Sequence, residues 1–119
     1  MATVDLFHAE DIELVSFRAG QRIFREGDAG DVMYVVRDGE VELRVKGQLV
    51  EALGPGGVLG EMALIEHAPR SASATAKTDC SLVPISEKRF TFMVQHTPHF
   101  ALQIMKVMAE RLRRMDARL

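Results

Sequence analysis

One stretch of the chain, Gly60-Glu61-Met62-Ala63-Leu64-Ile65-Glu66-His67-Ala68-Pro69-Arg70-Ser71-Ala72, concentrates the groups best suited to chemistry. A glycine-rich run leads into Glu61–Ile65, about one turn of good helix formers. A helix start carries unpaired backbone N–H groups and a partial positive charge, a natural place for an anion. Gly60 has no side chain to obstruct a close approach. Pro69 should stop the turn, and Arg70 follows it, heading a strand-like run with a fixed fork of donors suited to phosphate oxygens. Glu61 only accepts hydrogen bonds when ionised, so beside an anion it needs a donor such as a sugar hydroxyl. Phosphate, sugar and an apolar wall together point to a nucleotide with one accessible phosphate. As isolated residues, Glu61 and Arg70 could equally be a solvated surface pair, and Ser71 an ordinary strand residue.

The elements that would hold this stretch are mainly strands. Residues 40–46, Glu-Val-Glu-Leu-Arg-Val-Lys, alternate strictly, with Val41, Leu43 and Val45 on one side. That period of two describes a strand with one buried and one wet face. The continuous apolar run Val32–Val36 suits a more enclosed strand. Asp38-Gly39 lies between them and reads as a hairpin turn. Gly54-Pro55-Gly56-Gly57 is a loop by composition. The expected fold is mainly β: a double-stranded, jelly-roll-like β-roll over about residues 12–85, with a short helix at Glu61 and C-terminal helices over about 86–119.

Ser86 can N-cap the first C-terminal helix, and Pro98 suits the first position of the second. Along that last helix Ala101, Met105, Met108, Leu112, Met115 and Leu119 are spaced 4, 3, 4, 3, 4, a seam suited to pairing with a second copy. Phe100, Ile104 and Val107 form a second stripe that can pack on the roll. Arg111, Arg113, Arg114 and Arg118 complement the helix dipole and read as a solvated face.

The segments Phe24-Arg25-Glu26-Gly27-Asp28 and Met33-Tyr34-Val35-Val36-Arg37-Asp38-Gly39, with Gly-Glu-Met-Ala-Leu at 60–64 and Pro-Arg-Ser-Ala at 69–72, make the chain similar to the cyclic-nucleotide-binding family. The family includes the bacterial catabolite activator, and the last two segments resemble its phosphate-binding cassette. The resemblance implies a ligand site of Gly60, Glu61, Met62, Ala63, Arg70, Ser71 and Ala72. Arg70 would face the cyclic phosphate and Glu61 the ribose 2′-hydroxyl. Backbone groups of Gly60, Met62 and Ala63 would hold the sugar-phosphate, and Ser71 would lie near the phosphate or base. The ligand implied is cAMP or cGMP, with no further cofactor. Where the catabolite activator has a Thr-Ser pair that reaches the adenine, this chain has Met115-Asp116, so the resemblance carries over to phosphate and ribose recognition and not to the base.

The remaining features weigh the alternatives. At 119 residues the chain fits one domain. Its one cysteine, Cys80, cannot form an internal disulfide and reads as a small buried side chain in a reducing compartment, the cytoplasm. No apolar run approaches a membrane span, and the first residues show no secretory signal. Fifteen basic and seventeen acidic residues give a formal charge of −2, which argues against direct DNA binding. A non-enzymatic sensor, homodimeric through its last helix, is therefore the leading expectation. The sensory half of a longer transcription regulator is the alternative. A cupin-like metalloenzyme is the third reading, although His8, His67, His96 and His99 are too scattered to form a metal site.

Overall fold

Apart from one hairpin pair, strands that are neighbours in sequence are dealt into two separate sheets, and this arrangement decides which side chains reach the site. A computed structural model of the chain describes residues 13–118. The elements are β1 (Val15–Phe17), β2 (Arg22–Phe24), β3 (Val32–Asp38), β4 (Val41–Val45), β5 (Gln48–Leu53), β6 (Val58–Leu59), α1 (Glu61–Glu66), β7 (Ser73–Ala76), β8 (Cys80–Ser86), α2 (Glu87–His96) and α3 (Pro98–Arg118). One antiparallel sheet has the order β1-β8-β3-β6, and the other β2-β7-β4-β5. The expected β-roll with a short cassette helix and C-terminal helices is the fold observed.

The continuous apolar run of β3 follows from its position. Val36 joins Leu82, Leu59, Val41, Leu43 and Leu53 in the core between the sheets. Met33 and Val35 instead face a second core with Val83 and Ile85, closed by Phe100, Ile104 and Val107 of α3. Both faces of β3 are thus covered, whereas β4 is covered on one side only, matching its alternation. Burying each large apolar side chain contributes about 1.5–3 kcal/mol, so the α3 stripe is enough to seat that helix firmly.

One expectation fails here. Asp38-Gly39 does not close a hairpin, because β3 and β4 lie in different sheets. The dipeptide turns a corner instead, and a Cβ at Gly39 would run into the Asp79 carbonyl at the start of β8. A dipeptide signal reports local backbone freedom and is blind to which sheet the next strand joins. The true two-residue hairpin is Lys46-Gly47, with φ of 50° and 80°, between the paired ends Val45 and Gln48.

The helical end follows its signals closely. Ser86 Oγ accepts from the Arg89 N–H at 3.2 Å, and Pro98 opens α3. Phe90 of α2 meets Phe100 of α3 edge-on, with ring centroids 5.7 Å apart. On the other side of α3, Met105 and Leu112 are 61% and 62% exposed, and Met108 packs in part against the core. The seam positions Met115 and Leu119 lie outside the residues whose side chains are described. Among the described residues no helix is long and apolar enough to cross a membrane.

Candidate functional site

The cassette begins where β6 hands the chain to α1. Gly60 has φ 82°, a left-handed conformation natural to glycine, and a Cβ there would collide with the guanidinium of Arg70. No side chain caps the start of α1. The helix turns Glu61, Ala63 and Leu64 inward and leaves Met62 and Ile65 on the surface. It ends earlier than the position of Pro69 suggested. His67 adopts φ 53°, and its N–H bonds the Ala63 carbonyl, so the chain has left the helix two residues before the proline. Arg70, Ser71 and Ala72 precede β7, which starts at Ser73.

Arg70 is only 6% exposed. Its backbone N–H donates to the Asp28 carbonyl and its own carbonyl accepts from the Gly27 N–H, both at 2.8 Å. The guanidinium donates from Nη1 to the Gly60 carbonyl at 3.1 Å and from Nη2 to the Val32 carbonyl at 2.6 Å. It lies over the Phe24 ring, with Cζ 4.2 Å from the centroid. Nε is buried with no hydrogen-bond partner. No carboxylate among the described residues comes within ion-pairing distance of it. Burial pulls the guanidinium below its ordinary pKa, against the opposing fields of Tyr34, Asp31, Asp28 and Glu61. This is a cation held out of water by carbonyl dipoles and a π face alone, a costly state that an anion would relieve.

Glu61 is buried more completely still, at 1% exposure. Its Oε1 pairs with Arg111 Nη1 of α3, while Oε2 is buried without a partner. Arg111 also donates from Nε to Glu51 Oε1 at 3.0 Å and from Nη2 to the Val58 carbonyl. Arg114 Nη1 lies 3.1 Å from Glu51 Oε2, and its Nη2 donates to Glu110 Oε1 at 2.6 Å. Burial alone would lower the Arg111 pKa, but Glu61 and then Glu51 outweigh it and the net direction is upward. The cleft beside this network, between Val58, Val107 and Arg111, holds about 10 Å³ of free space, roughly one water.

One sequence reading is corrected by this geometry, since the C-terminal arginines are not uniformly a solvated face. The alternative of a solvated Arg70–Glu61 surface pair also falls, because both residues are buried. Arg111 points into the roll with a side chain 18% exposed. The signal was available, because Arg111 extends the buried stripe Phe100, Ile104, Val107 by one more step of four. Glu51 carried a weaker one, as it shares parity along β5 with buried Leu53. Of the remaining candidates, Ala63 is buried, Met62 and Ser71 are exposed and Ala72 is half-buried. Ser73, not singled out in the sequence, accepts from the Glu26 N–H at 2.9 Å and ties β7 to the turn after β2.

The histidines are dispersed. His67 Nε2 lies 3.3 Å from Glu87, and the His96 ring sits 4.3 Å from that of Phe92. His8 lies outside the described residues. Among the described residues no three His, Cys, Asp or Glu side chains are grouped to hold a metal.

Comparison with known proteins agrees with the fold. The cyclic nucleotide-binding domain family matches residues 14–97. The cyclic AMP receptor protein of Thermus thermophilus is 35% identical over 105 residues, 84% of this chain and 49% of that protein. The crystal structure of the Thermus thermophilus catabolite activator protein superposes with a TM-score of 0.80 at 32% identity, covering 90% of this chain and 53% of that one. The cGMP-bound form of the EAL enzyme Bd1971 gives a TM-score of 0.69 at 33% identity, over 88% of this chain and 29% of that one. The CRP-like cAMP-activated global transcriptional regulator of Mycobacterium tuberculosis is 28% identical and is likewise matched over 49% of its length, so the chain spans about half of these two curated relatives. With its family match, its fold and its buried arginine beside a cassette helix, the chain belongs to the cyclic nucleotide-binding domain family.

Proposed function

We propose that the domain senses cAMP or cGMP through Arg70 and Glu61, as a regulatory module and not as a catalyst. The observation that carries this reading is the buried Arg70 guanidinium, with an unpartnered Nε and, among the described residues, no carboxylate counter-ion. A cyclic phosphate supplies the missing negative charge. The unpartnered Oε2 of Glu61 is the matching vacancy for a donor, and a ribose 2′-hydroxyl is such a donor. Gly60, Met62 and Ala63 offer backbone to the sugar-phosphate, with Ser71 and Ala72 at its edge. Calorimetric titration with cAMP, cGMP and their 2′-deoxy analogues tests the assignment. Uptake of one cyclic nucleotide per chain, weaker for the 2′-deoxy form, is the expected result; heat from neither ligand refutes the assignment.

Coupling to α3 follows from the same network. Glu61 offers Oε2 to the sugar while Oε1 holds Arg111 of α3. Through that shared carboxylate a bound ligand favours one seating of α3 over another, which is the differential contact a sensor requires. Exposed Met105 and Leu112, on the seam that runs away from the roll, suit homodimer pairing of α3. Light scattering should find a dimer that Met105→Glu converts to a folded monomer; a monomeric wild type at high concentration would rule the seam out. The match to half of each longer regulator favours a place as the sensory part of such a protein, in which case DNA contact lies outside this domain. The single buried cysteine suits a reducing compartment such as the cytoplasm.

A further inference from the structure

The segment Phe24-Arg25-Glu26-Gly27-Asp28 is assigned no ligand contact above, yet it wraps Arg70 on two sides. Gly27 and Asp28 fix the arginine's backbone through a pair of hydrogen bonds. The Phe24 ring lies under the Arg70 guanidinium, with Cζ 4.2 Å from the centroid, and is itself stacked on Tyr34, with centroids 6.4 Å apart and planes 23° from parallel. The loop just beyond runs so close that a Cβ at Gly30 would overlap the guanidinium. That loop carries Asp28 and Asp31, whose charges act on Arg70 although neither is within ion-pairing distance. Asp28 Oδ2 already accepts from the Arg25 N–H at 3.2 Å, so the guanidinium is placed by the ring and the two carbonyls and not by a carboxylate.

We propose that Phe24 is a positioning residue for Arg70: its ring gives the guanidinium a neutral seat and holds it in place until an anion arrives. The proposal rests on the reading of Arg70 as the phosphate partner. A cation on a desolvated aromatic face is held by the ring quadrupole without losing its charge to a carboxylate. If removing the ring leaves Arg70 correctly placed about one-tenth of the time, the apparent affinity falls about tenfold.

The test compares Phe24→Met, which keeps the volume and loses the ring, with Phe24→Tyr, which keeps the ring. Phe24→Met should weaken cAMP and cGMP binding by the same factor, about tenfold, and Phe24→Tyr should stay within about twofold of wild type. In the ligand-free protein the Arg70 Nε–H proton should show an upfield ring-current shift in its NMR spectrum, kept in Phe24→Tyr and lost in Phe24→Met. Wild-type affinity in Phe24→Met, an equal loss in Phe24→Tyr, or an unshifted Arg70 proton in wild type would each overturn the proposal. If Phe24→Met does not fold, the spectra of wild type and Phe24→Tyr decide it. Should wild type take up neither nucleotide, the phosphate reading itself fails, and the positioning role falls with it even where the proton is shifted.

Discussion

Arg70 and Arg111 both carry a charge out of water, the first at 6% exposure and the second with a side chain 18% exposed, yet their surroundings are opposites. Arg111 meets Glu61 and Glu51 and donates in addition to the Val58 carbonyl. Arg70 meets two carbonyls and a phenyl ring, and its Nε bonds to nothing. The pKa directions express the same contrast, upward for Arg111 and downward for Arg70. A paired buried cation belongs to the architecture. An unpaired one, with its guanidinium packed into the space that Gly60 and Gly30 leave free, is the feature on which the proposed ligand site rests.

The comparison can be broken most forcefully at Arg111. Arg111→Met would strand Glu61 in a buried site and leave Glu51 with Arg114, and removing one partner of a buried ion pair costs about 3–5 kcal/mol. Urea denaturation of the ligand-free protein should show a loss of that order, with α3 loosened from the roll. A loss near zero would mean the network is solvated and Arg111 structurally idle.

The same substitution at Arg70 should cost less. Arg70→Met leaves the Gly60 and Val32 carbonyls without this donor, a penalty of about 1–3 kcal/mol for each. It also removes an uncompensated buried charge, which offsets much of that penalty. The expected net loss is smaller than that of Arg111→Met in the same denaturation experiment. A loss as large as that of Arg111→Met would show that Arg70 has a counter-ion and that the contrast is false.

How much of this was legible in the sequence depended on the range of the interaction. The strand alternation at 41–45, the Ser86 cap, Pro98 at the head of α3 and the stripe Phe100, Ile104, Val107 are local or helical-period signals, and each has the structural meaning it suggested. The hairpin at Asp38-Gly39 failed because sheet membership is set by pairing β3 with β8 and β6, far away in sequence. Arg70 and Glu61 stood out by type and spacing, but their burial did not. Nothing near residue 61 announces that Arg111, fifty residues later, will cover it. Phe24 was visible only as part of a resembling motif, and its seat beneath Arg70 exists because β2 pairs with β7, placing Phe24 opposite Ala74.

The central claim is that Arg70 is a buried cation kept for a cyclic phosphate, and calorimetric titration of Arg70→Met beside wild type tests it most directly. Charged hydrogen bonds contribute about 1.5–3 kcal/mol each, and a phosphate left desolvated without its cation costs more. With about 1.4 kcal/mol per tenfold, cAMP or cGMP affinity should fall by about a hundredfold or more in a variant that remains folded. A folded Arg70→Met protein that binds cyclic nucleotide as wild type does would contradict the account.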